Sequence, residues 1–155
     1  MKKNLFFLFF IVCIKKKVLS LHKILIMAIK LFNVNDEEYF GDNVYLIHRQ
    51  YILGNPYTHI KDKGTKAMFV VPTREEAIKR YSHYFDIMYG RNIEFTSTID
   101  EIYEKYRRGE DILLGCYCYP KSCHGEVIIQ KIQGRLLKEK IKEAKKMKKN
   151  LVNSK

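Results

Sequence analysis

The run Ile112-Leu113-Leu114 carries no polar alternation. A strand that is apolar on successive residues has no face to give to water and must be covered on both sides. The stretch Asp111 to Cys118 is therefore expected to be a strand buried by helices, and it sets the class of the whole chain. Four residues later the pattern changes. A helix is expected from Ser122 or Cys123, carrying Val127, Ile128, Ile132, Leu136 and Ile141 inward.

The rest of the chain fits around that strand. Ala28 to Val34 and Val44 to Arg49 have the composition of short strands, with Gly41-Asp42-Asn43 as a turn between them. Gln50 to Lys66 holds Gly54, Pro56 and Gly64 and no apolar period, so it is expected to be a loop, and Ala67 to Val71 a short extended stretch. Thr73 with Glu76 forms a capping box: each side chain reaches the other's unpaired backbone N–H. Ala77, Ile78, Tyr81, Tyr84, Phe85 and Met88 then recur at helical spacing. A second capping box, Thr98 with Glu101, predicts a helix to Arg108 with Ile99, Ile102, Tyr103 and Tyr106 inward. The fold class expected is α/β: a small single-domain sheet with helices packed on it, in the order ββ-α-α-β-α. The tyrosines fall at core spacing, and Arg74, Lys79 and Arg80 are assigned to a solvated helix face.

The net charge of +12 suggests a polyanion partner, but its distribution confines that reading to the ends. Residues 1–26 hold six lysines and no acid, and residues 131–155 hold ten basic residues against Glu139 and Glu143. Between them thirteen basic residues face fifteen acidic ones. Nucleic acid is thus expected to meet the basic tails only, without sequence preference. The domain is placed at 27–137, with a Lys-rich helix end or tail at 138–155. Residues 1–26 are expected to be a dispensable extension ahead of a natural start at Met27. Their apolar run, Leu5 to Ile14, is too short to span a bilayer, and three lysines follow it rather than a cleavage site.

Chemistry concentrates in two places. Three of the four cysteines lie between positions 116 and 123, with His124 adjacent. Clustered cysteines beside a histidine belong to metal or thiol chemistry in a reducing, intracellular setting rather than to a secreted disulfide framework. Cys116 and Cys118, two apart on a strand, are expected to face one way. Three chemistries compete for this segment. Cys116, Cys118, Cys123 and His124 make a Cys3His set that zinc accepts, although the spacing is not that of a finger and adjacent Cys and His must twist to share a metal. Alternatively Cys123 or Cys118 is a catalytic thiol activated by His124 and a helix N-terminus. In the third reading the cysteines are small buried residues and His124 is a cap or an unreactive ligand contact. Of the thiols, Cys123 is expected to be more reactive than the deeper Cys116. The second place is Arg49 with Gly54-Asn55-Pro56. Gly allows close backbone approach, Asn offers a donor and an acceptor, Pro fixes the turn, and the Arg fork suits an anion.

These elements, from Arg49 and Gly54-Asn55-Pro56 through Thr73-Arg74-Glu75-Glu76-Ala77 and Tyr81 to Cys116, Cys118 and Cys123-His124-Gly125, resemble the domain-of-unknown-function family 4326. The resemblance runs from about Ile29 to Ile132. Its members are bacterial, phage and large-virus proteins. His48, Tyr57 and Tyr117 stand where that family has Gly, Phe and Trp. The resemblance implies a fold and a site, with no established activity.

The functional expectation is a site for a small anionic or nucleotide-type ligand. Arg49, Gly54, Asn55, Pro56 and Gly125 would hold the ligand, with Cys123, His124 and Cys118 as the catalytic candidates beside it. The two motifs should then meet in space despite some sixty intervening residues. The competing expectation is a non-enzymatic, zinc-stabilised module whose basic tails bind nucleic acid or a protein; a membrane partner is not expected.

Overall fold

A computed structural model describes residues 28–61 and 64–153. The expectation for residues 1–26 lies outside the described residues. Three strands form a wholly parallel sheet in the order β1 (Ile29–Asn33), β5 (Ile112–Cys116), β2 (Val44–Leu46). Ile29 pairs with Ile112 and Asn33 with Cys116 on one side; Val44 pairs with Leu113 and Leu46 with Gly115 on the other. The apolar run is thus the central strand, and Ile112 and Leu114 are fully buried, as its composition requires.

Parallel pairing obliges the chain to cross over between β2 and β5. The crossover carries helix α1 (Arg74–Met88) and helix α2 (Ile93–Arg107). Thr73 caps α1 by accepting the Glu76 N–H at 3.1 Å. Ala77, Tyr81 and Phe85 form its buried face. Helix α2 starts at Ile93, not at the Thr98 capping box. Asn92 is the cap, its side-chain oxygen accepting the Phe95 N–H at 2.9 Å, and the Thr98 hydroxyl donates back to the Glu94 carbonyl inside the helix. Burial of Phe95 on the same face as Ile99, Ile102 and Tyr106 accounts for the extra turn.

Other boundaries also moved. The expected loop 50–66 contains β3 (Tyr57–Thr58), which pairs in parallel with β4 (Phe69–Val70). Two residues are too few to leave a periodic trace. Strand β5 ends at Cys116, so Cys118 lies in the following turn and not on the strand's face. The turn is closed by the Lys121 N–H on the Cys118 carbonyl at 2.9 Å. Helix α3 then runs without interruption over His124–Asn153. Its inward residues end at Leu136; from residue 141 to residue 151 every side chain is exposed. Among the described residues no helix is long and apolar enough to cross a membrane.

Candidate functional site

A cavity of about 650 Å³ opens beyond the C-terminal ends of β2 and β5, in the size range of small-molecule sites and at the sheet edge where parallel α/β folds hold ligands. Arg49 and Asn55 line it together with Cys116, Cys118, Cys123 and His124. The two motifs therefore meet in space, as expected if they form one site.

The Gly54 loop reaches this place by close contact. A Cβ on Gly54 would lie 2.6 Å from the Arg49 Cα and 2.8 Å from the His48 carbonyl oxygen, so only glycine lets the chain double back here. Asn55, buried, donates from Nδ2 to the Ala77 carbonyl at 3.2 Å and accepts the Tyr57 N–H at 2.9 Å. Arg49 donates to the carbonyls of Asn55 and Tyr57 and to the Thr65 hydroxyl at 3.1–3.3 Å. Both side chains thus staple the loop to itself and to α1. Three of the five guanidinium donors are engaged in that, although the charge still faces the cavity. Buried Pro56 offers its carbonyl to the N–H groups of Met68 and Phe69. Gly125 sits where a Cβ would meet Leu31 at 2.3 Å and Ile47 at 2.8 Å, so it lets α3 close on the sheet. Gly54, Pro56 and Gly125 shape the cavity without lining it.

His124 is fixed from three sides. Its Nε2 lies 2.8 Å from the Ile47 carbonyl oxygen, which can only accept, so Nε2 carries the proton and Nδ1 the lone pair. The Tyr81 ring packs edge-on at 4.8 Å, and the Tyr81 hydroxyl donates to the Leu53 carbonyl at 2.7 Å. Burial lowers the imidazole's pKa to about 4, which keeps it neutral near pH 7. Its Nδ1 is 3.5 Å from the Cys123 sulfur.

Cys123 is the N-cap of α3. Its sulfur accepts the Gly125 N–H at 3.4 Å, while Glu126 reaches back to its own N–H at 3.2 Å. The sulfurs of Cys123 and Cys116 are 3.0 Å apart, and both residues are buried. That separation is longer than a disulfide and shorter than the roughly 3.8 Å between two thiolates on one tetrahedral zinc. Among the described residues no group of three or more His, Cys, Asp or Glu side chains is placed to hold a metal ion.

Charge is distributed among the three thiols in an order the sequence did not suggest. Hydrogen bonds from the thiols of Cys116 and Cys123, and then the neighbouring His124 and Arg74, hold the Cys118 thiol far below its ordinary range. Cys118 is also the one of the three that reaches solvent. Cys116 is pushed up by its bond to Cys118, and Cys123 is pushed up by its bonds to both partners. Of the two thiols expected as catalytic candidates, Cys118 and Cys123, these directions favour the charged form on Cys118. A helix N-terminus favours a thiolate, but burial against two other sulfurs outweighs it.

Residues that the sequence left unassigned complete the lining. Arg74, assigned to a solvated face, instead turns into the cavity and donates to the Ser122 carbonyl at 3.4 Å. Lys66 and Lys121 join it, and no described lining residue is acidic. The His48 ring meets Tyr51 edge-on at 4.6 Å and Tyr117 at a tilt at 4.8 Å. Burial, then Lys66, lowers its pKa.

Residues 32–134 match the family model described as Domain of unknown function (DUF4326). The chain belongs to that family. No curated protein and no solved structure matches it. The DUF4326 span starts within β1 and ends within α3, and it contains every residue lining the cavity, from Asn33 to His124.

Proposed function

We propose that the cavity binds a small anionic, nucleotide-type ligand beside the Cys118 thiolate. The observation that carries this reading is the lining itself. Arg49, Lys66, Arg74 and Lys121 converge on it without a described carboxylate, in a stretch of chain where acids outnumber bases. A cavity lined by one sign of charge concentrates the opposite one. His48 and the half-exposed Tyr117 add flat rings at the mouth, suited to a planar group attached to the anion.

The test is calorimetric titration of the full chain with adenosine monophosphate, adenosine and inorganic pyrophosphate. The two anions should bind and adenosine should bind at least about tenfold more weakly, a difference of about 1.4 kcal/mol. Arg74→Met and Lys121→Met should each weaken the anions and leave adenosine unaffected. Equal binding of adenosine and its monophosphate, or anion binding indifferent to both substitutions, would remove the proposal.

A further inference from the structure

We infer that the exposed end of α3 lies on anionic lipid surfaces, an interaction separate from the cavity and its ligand. Two apolar faces follow one another along this helix. The first, Val127, Ile128, Ile132 and Leu136, is buried in the core and stops at Leu136. The positions that would continue it, Glu139, Lys140, Glu143 and Asn150, are polar. On the outer side of the helix Glu126, Gln130 and Gln133 are exposed, three or four residues apart. The same line then turns apolar. Leu137, Ile141 and Ala144 follow it, with Met147 at its edge and Leu151 in phase. Leu137, Ile141 and Met147 are 62%, 45% and 48% exposed. At about 100° per residue this second stripe is centred roughly opposite the first, so the helix can lie flat on a surface with the domain standing away from it.

Charge identifies the occupant. From Lys138 to Lys149 there are seven lysines against Glu139 and Glu143. Lys138 and Lys145 border the stripe on one side, Lys140 on the other, and Lys148 falls within it. A lysine stem lies along apolar surface while its ammonium reaches out to a charged layer. The partner must therefore be apolar and anionic together. A bilayer with acidic headgroups is both: the acyl boundary takes the stripe and the headgroups take the ammonium groups. Nucleic acid would satisfy the lysines and leave Leu137 and Ile141 in water. A second copy would cover the stripe but set the same surplus of lysines against it. The expectation against a membrane partner rests on the lack of a span, and a helix lying in the interface needs none.

The chain has no tryptophan, so Ala144→Trp puts a fluorescent reporter in the middle of the stripe and nowhere else. The full chain carrying it is titrated with vesicles of phosphatidylcholine containing about 30% phosphatidylserine, and with vesicles of phosphatidylcholine alone. The indole emission should shift to the blue on the anionic vesicles and not on the neutral ones, and binding should weaken as salt is raised. On that background Leu137→Gln with Ile141→Gln, and separately Lys145→Gln with Lys149→Gln, should each weaken vesicle binding at least about tenfold. All the altered positions are exposed, so the fold tolerates these changes. Co-sedimentation with the anionic vesicles without a blue shift would mean that another part of the chain makes the contact, and would overturn the assignment. Equal binding to the neutral vesicles would overturn it too, as would a dimer of the full chain that the Leu137 and Ile141 substitutions dissolve. So would duplex DNA that displaces the vesicles and binds the chain equally well with or without those two substitutions.

Discussion

At the scale of single residues, the glycines separate most cleanly by what surrounds them. Gly54→Ala would drive a Cβ into backbone atoms at 2.6, 2.8 and 3.0 Å, and backbone cannot yield as a side chain can. It should lose about 3 kcal/mol in urea unfolding. Gly134→Ala has nothing within 4 Å and lies inside α3, so it should gain about 0.5–1 kcal/mol in the same assay. Of these two, only the role of Gly54 was visible beforehand, because Asn55 and Pro56 mark a tight turn around it, whereas an open helical glycine leaves no mark. His124 gives a second prediction. In the unfolded chain its ring titrates near 6.5; folded, burial holds it near 4. The folded state refuses a proton that the unfolded state accepts. Stability is therefore complete above about pH 6.5 and falls as the pH drops toward 4, by about 3 kcal/mol in all. His48, lowered by burial too, acts with the same sign. His124→Gln should flatten most of this acid limb in urea midpoints measured between pH 7.5 and 4.5. An unchanged slope would mean the ring is protonated in the fold.

Among the elements, those with long apolar periods were legible and those made by few residues were not. Central strand β5 and helices α1 and α3 follow from runs such as Ile112-Leu113-Leu114 and Ala77-Tyr81-Phe85. The β3–β4 pair has two residues a strand, and its partners are chosen by tertiary contact through Pro56 and Thr58. The early start of α2 was hidden because Thr98 and Glu101 imitate a cap while the working cap, Asn92, has no acid three positions on. Asn92→Ala should therefore cost about 1 kcal/mol, and Thr98→Ala less than half of that, in denaturant unfolding. Helix α3 divides at Leu136. Arg135 still lies 3.8 Å over the Tyr103 ring and pairs with Asp100, but from residue 141 to residue 151 all is exposed. Truncation after Lys140 should leave the unfolding free energy within about 0.5 kcal/mol of the full chain. A larger loss would mean that the Lys-rich end packs on something.

For the molecule as a whole, what mattered most was which distant groups meet. That Arg49 and Asn55 would stand beside Cys118 and His124 could be expected from the two motifs together. That they would serve as staples could not, because side-chain partners such as Ala77 and Thr65 are set only by the closed fold. The order of thiol acidity was hidden for the same reason: it depends on three sulfurs converging, with Arg74 alongside. Sheet, loop and helix N-terminus thus build one cavity lined by cationic side chains and by the half-buried Cys118 thiol, and a single labelling experiment addresses both properties. The reduced full chain is alkylated at pH 7 with iodoacetate, an anion, and in parallel with neutral iodoacetamide, and the modified cysteines are mapped over time. Cys118 should react well before Cys116 and Cys123, its preference for iodoacetate over iodoacetamide should exceed that of free cysteine, and Arg74→Met or added pyrophosphate should erase that preference. Equal rates at the three cysteines, or a Cys118 that favours the neutral reagent as free cysteine does, would contradict the account.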